Sequence, residues 1–137
     1  METFQVHILA ADKTFYEGPC ESLVVPTSDG EQGILAHHSA MIAAIQPGLL
    51  RYQVPGQPAR LAAISPGMVK VEKNDVLVLV DSVERPEEID AVRAQREADQ
   101  AMEALLQKKS RQEHQIAQAT LARAVNRLRV KAIGPNN

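Results

Sequence analysis

The chain has 137 residues, 45% of them hydrophobic, and a formal net charge of −2, which suits one ordinary domain or a small domain with an appendage. That charge argues against a general nucleic-acid binder, which needs a basic face to neutralise phosphates. The single Cys20 excludes an internal disulfide and a cysteine-based zinc site, and it fits a reducing compartment.

The opening "METFQVHILA" has no basic leader and no long apolar core, so no signal peptide is expected. No run approaches the ~20 apolar residues of a membrane helix, and membrane association is expected only through a partner. "TFQVHIL" alternates, with Phe4, Val6 and Ile8 on one face and Gln5 and His7 on the other. "ESLVVPT", "LLRYQV", "ARLAAI", "MVKVEK" and "DVLVLVD" follow as short β-rich runs. Between them lie turn residues, for residues 1–83 hold six of the seven glycines and six of the eight prolines. This spacing predicts an all-β sandwich or barrel over residues 1–84 rather than βαβ units. All four aromatics, Phe4, Phe15, Tyr16 and Tyr52, fall within it.

"TSDGEQGIL" has two glycines but no lysine to meet a phosphate, and reads as a turn placing Gly30 and Gly33 where positive φ is needed. His37 and His38 are adjacent, so in an extended strand they point to opposite faces and no metal site is expected. Ser39 has no acid-orienting partner in the sequence. No catalytic residue is assigned.

Residues 85–137 have another character. From Glu87 to Ile133 there is neither Gly nor Pro. Pro86, followed by Glu87 and Glu88, suits a first helical turn. Ile89, Val92, Met102, Leu105 and Leu106 outline an apolar stripe, which lapses at "KKSRQE". A second helix carries Ala117, Leu121, Ala124, Val125 and Leu128, and Gly134-Pro135 ends it. The pattern predicts an antiparallel helical hairpin with an Ala-rich seam contributing only a few kcal/mol at ~25 cal/mol per Å². Such an element can dock permanently or undock at tolerable cost.

Asp90 and Arg93 share one helix face, as do Arg123 and Arg127. With the turn near Ser110 and Arg111, Arg93 lies level with residue 128 and approaches Arg127. Two readings stay open. Three guanidiniums beside one carboxylate at a helix N-terminus make an anion site. Alternatively Asp90 pairs with Arg93, and the distal arginines answer the dipole of the second helix.

The whole chain resembles the epsilon subunit family of the rotary F-type ATP synthase. "VHILAADKTFYEG" looks like that family's opening strand pair. "DGEQGILAHHSAMIAAIQPGLLRY" is similar to its Gly-Glu-x-Gly-Ile, histidine, Pro-Gly pattern, with His38 in the histidine position. "SPGMVKVEKNDVLVLVDSVE" resembles the strands that close the sandwich. Two departures affect turns: Ala36-His37 stands where the family has Pro-Gly, and Pro66-Gly67 where it has Gly-Gly. The resemblance implies a non-catalytic, peripheral subunit at the cytoplasmic face of a bacterial membrane. Its sandwich would seat on the gamma subunit and the c-ring. Its hairpin would extend into the catalytic hexamer to block ATP hydrolysis, or fold down to leave the proton-driven motor free. Some bacterial members bind ATP on the folded hairpin through Ile/Leu-Asp-x-x-Arg-Ala and two later arginines. The matching positions are Ile89, Asp90, Arg93, Ala94, Arg123 and Arg127, with Glu84 as the preceding acid; Gln100 stands where ATP binders often have a further arginine. ATP, with or without magnesium, is the implied regulatory ligand, and no catalytic cofactor is implied. The rival readings are an epsilon subunit without useful ATP affinity and a free-standing β-sandwich interaction module.

Overall fold

The computed structural model describes residues 2–107 and 110–134. Ten strands come first: β1 (Phe4–Ala10), β2 (Thr14–Cys20), β3 (Ser22–Thr27), β4 (Gly30–Leu35), β5 (Met41–Ile45), β6 (Gly48–Gln53), β7 (Arg60–Ile64), β8 (Gly67–Glu72), β9 (Asp75–Val80) and β10 (Val83–Glu84). A 3₁₀ turn, Pro86–Glu88, leads to α1 (Ala91–Leu106) and α2 (Arg111–Ile133).

The strands pair in the order β10-β7-β6-β3-β5-β8-β9-β1-β2, with β4 added to β3. They wrap one interior, since Val6, Ile8, Leu23, Val25, Ile34, Leu50, Val69 and Val78 belong to a single buried cluster. The alternation read in β1 holds: Phe4, Val6 and Ile8 are buried while Gln5 is exposed. β1 is fixed on both sides, antiparallel to β2 and parallel to β9. The result is the expected sandwich followed by two helices.

Four strands go beyond the β-rich runs of the sequence, the two-residue β10 among them. β2 is foreshadowed only by the family resemblance. β5, "MIAAI", is short and half exposed. β4 corrects the reading of "GEQGIL" as a turn. Gly30 has φ +107°, but Gly33 lies inside the strand opposite Val24 and has no positive φ. Gly67 is required by space. A Cβ there would sit 2.0 Å from the Leu79 carbonyl oxygen, so the second glycine of the family pattern is the indispensable one.

The two histidines occupy a turn rather than a strand. His37 has φ +64°, where the family pattern has glycine, and a non-glycine residue there costs about 1–2 kcal/mol. Its N–H donates to Asn74 Oδ1 at 2.7 Å, and Asn74 Nδ2 donates to the Thr3 carbonyl at 3.0 Å, which ties this turn to the start of β1.

The helical pair docks through α2. Val130 is fully buried with Ala63 and Ile89, and half-buried Leu49 packs against them. Asn126 Nδ2 donates to the Gly48 carbonyl at 2.9 Å inside the same seam. Between the helices the buried face is Ala94, Ala98 and Ala101 against Ala117 and Ala124. This corrects the expected stripe, for Val92, Met102, Leu106 and Val125 are at least half exposed. Alanines at i, i+4 and i+7 let the helix axes approach closely, and the larger side chains are left outside. The start of α1 is also later than expected. Asp90 is its N-cap, and Pro86–Glu88 forms a separate turn before it. Of the expected hairpin break, Lys108 and Lys109 lie outside the described residues, as does Pro135 at the end of α2; Ser110 caps α2 by accepting from the Glu113 N–H.

Candidate functional site

Where the hairpin meets the sandwich, β10, the start of α1 and the later part of α2 enclose an open cleft. Its walls are Glu84, Glu88, Asp90, Arg93, Ala94, Glu97 and Arg127. Each residue arrives for a local reason. Glu84 ends β10, whose partner β7 holds Ala63 opposite it. Asp90 is spent partly on the backbone, its Oδ1 accepting from the Arg93 N–H at 3.0 Å. Burial of Ala94 against α2 turns Arg93, one residue earlier, outward along the cleft rim.

The charges form a chain across three elements. Arg127 Nε donates to Glu84 Oε1 at 2.5 Å and Arg127 Nη1 to Glu97 Oε2 at 3.5 Å. Arg93 Nε donates to the other oxygen, Glu97 Oε1, at 3.0 Å. Arg93 is largely exposed, whereas Glu84, Glu97 and Arg127 are each about 30% exposed. Nearby, Glu88 titrates below the usual carboxylate range because the Arg85 N–H donates to it, with burial opposing and Lys13 assisting.

Of the residues singled out in the sequence, Glu84, Asp90, Arg93, Ala94 and Arg127 line one cleft. Arg123 does not line it; it borders an adjoining recess with Ser65, Glu84, Asn126 and Arg127. Among the described residues, no side-chain hydrogen bond or ion pair engages Arg123, so its guanidinium is available. Ile89 is buried in the seam with Val130 rather than open to the cleft. Arg93 and Arg127 do approach one another, as the antiparallel register requires. The expectation of three guanidiniums beside a single carboxylate is corrected, because four acids line the cleft against two arginines. Nor does Asp90 pair with the Arg93 guanidinium, which turns to Glu97. Glu97 is the participant missing from the sequence reading, although its i+4 spacing from Arg93 is a legible ion-pair signal. Gln100 is exposed and lines a separate groove between the helices, with Ala101 and Ala117.

Comparisons with known proteins agree along the whole chain. A family model described as the β-sandwich domain of the ATP synthase delta/epsilon chain matches residues 3–86. A second, described as the long α-helix domain of the same chain, matches residues 87–132. The ATP synthase epsilon chain of Caldanaerobacter subterraneus subsp. tengcongensis is 41% identical, covering 94% of both chains. That of Ruminiclostridium cellulolyticum is 37% identical over 93% of this chain and 95% of its own. Among solved structures, a chain of the Euglena gracilis mitochondrial ATP synthase superposes with a TM-score of 0.77 at 20% identity, covering 88% of this chain and 76% of that one, a likeness of fold.

Proposed function

The chain belongs to the epsilon-chain family of the ATP synthase, and from that premise we propose that it is a coupling and regulatory subunit whose hairpin senses ATP. Members of this family are accessory subunits, and catalysis belongs to other chains of the complex. The sandwich is the rotor-binding part, seated on gamma and the c-ring. The hairpin moves between the folded position and one extended towards the catalytic hexamer, where it inhibits hydrolysis. Membrane association is peripheral and runs through the complex; no helix among the described residues is long and apolar enough to cross a membrane.

One observation carries the ATP reading. Arg93 and Arg127 line one cleft where the sandwich end, α1 and α2 meet, and Arg123 borders the recess that adjoins it. A polyanion held there touches all three elements in the folded state and loses them when the hairpin extends. ATP therefore favours folding by its differential affinity for the two states. The weakness of the helical seam supports the switch, and so do the exposed Val92, Met102, Leu106, Ile116 and Val125, which an extended docking would cover.

Charge-assisted hydrogen bonds to a phosphate are worth ~1.5–3 kcal/mol each. Arg127→Ala is expected to weaken ATP binding about ten- to a hundredfold in calorimetry. Equal affinity in the two proteins would remove Arg127 from the site.

A further inference from the structure

In the cleft, the two oxygens of Glu97 span two guanidiniums, Oε1 accepting from Arg93 at 3.0 Å and Oε2 from Arg127 at 3.5 Å. A phosphoryl group binding the same arginines would use two of its oxygens in the same way. We propose that Glu97 is an internal competitor for the phosphate-binding arginines, which sets how tightly the folded hairpin takes ATP. This rests on the ATP reading above and deepens it.

The argument is electrostatic and geometric. Glu97 belongs to α1, Arg127 to α2, and Glu84, the other partner of Arg127, to β10. The run Arg93–Glu97–Arg127–Glu84 thus fastens α1, α2 and the sandwich together without a ligand. A triphosphate reaching Arg93 and Arg127 must displace the Glu97 carboxylate or lie beside it. Displacement breaks the pairs that the carboxylate makes with both guanidiniums, and coexistence sets like charges close together. Either way the carboxylate lowers affinity. Glu84 acts on the sandwich side, where it accepts from Arg127 Nε. Of the two carboxylates, only Glu97 contacts both arginines.

The test is calorimetric titration of the full chain with ATP, for wild type, Glu97→Gln and Glu97→Ala, at low and high salt. Glutamine keeps the shape and one hydrogen-bond acceptor but removes the charge. Binding is expected to tighten about fivefold in Glu97→Gln, because the pair is partly exposed and screened, and the gain is expected to shrink as salt is raised. Glu97→Ala is expected to tighten binding too, with helix content unchanged by circular dichroism. Wild-type binding with equal or weaker binding in both folded variants would overturn the proposal while leaving the ATP site in place. ATP binding to none of the three would refute the site itself, and the competitor with it.

Discussion

The sandwich and the hairpin are stabilised in opposite ways. Inside the sandwich, Ile8, Leu23, Leu50, Val25 and Val69 are fully buried, and each is large or β-branched. The hairpin buries mainly alanines, together with Val130 and Asn126, and leaves Met102, Leu106 and Ile116 in water. Burial of a Leu or Ile side chain contributes about 1.5–3 kcal/mol, and an alanine methyl much less. One part is therefore constructed to persist. The other has secondary structure that is well capped, by Asp90 and Ser110, but tertiary attachment that is slight. The separability proposed for the hairpin rests on that contrast rather than on any weak helix.

The comparison can be broken at its strongest point first. Leu23→Ala removes a side chain from the centre of the sandwich and is expected to cost ~2–5 kcal/mol of global stability by denaturant unfolding. A loss below ~1 kcal/mol would mean that the interior is not the source of persistence. Asn126→Ala is expected to act only on the seam. It removes the buried hydrogen bond to the Gly48 carbonyl, at ~1–3 kcal/mol of docking free energy, with the denaturation midpoint of the sandwich nearly unchanged. A fluorescence distance between Leu35 and Leu106, measured through labelled cysteines in a Cys20→Ala background, reads the docking directly. Both sites are exposed. If the variant lowers the sandwich midpoint as much as Leu23→Ala does, the two regions form one cooperative unit.

The smallest expected effect lies on the sandwich surface. His7 stands between Glu17 and Asp75, with Nδ1 at 2.6 Å from one and Nε2 at 3.2 Å from the other. The hydrogen bond that the imidazole donates to Glu17 raises its pKa above 6.5, burial opposes, and Asp75 adds to the rise. Protonated His7 therefore stabilises the folded chain. This contribution is fully present below about pH 6.5, the unfolded value, and is lost as pH rises through the raised folded value. The midpoint of thermal unfolding is expected to fall slightly between pH 6 and pH 8, and His7→Gln to flatten that slope. An unchanged slope in the variant would show that the carboxylates do not act through the imidazole.

The same contrast decides how much could be read from the sequence. Strands with large residues on alternate positions, such as β1, β8 and β9, announce themselves. β4 does not, because Gly30, Glu31, Gln32 and Gly33 carry turn chemistry into a paired strand. In the helices, hydrophobicity pointed to Val92, Met102 and Leu106, whereas close packing selected Ala94, Ala98 and Ala101. Size, not apolarity, chose that face. The meeting of Arg93 with Arg127 followed from helix period and antiparallel register. Of the acids around them, Glu84 and Glu88 did not, because they approach through the tertiary course of β10 and the 3₁₀ turn.

Native-state amide hydrogen exchange, with and without ATP, tests the separability of hairpin and sandwich most directly. Amides of α1 and α2 are expected to exchange through an opening that leaves β1, β3 and β9 protected, and saturating ATP is expected to slow the helical amides while the strand amides keep their rates. Exchange of helices and strands at one common protection, unaltered by ATP, would contradict the account.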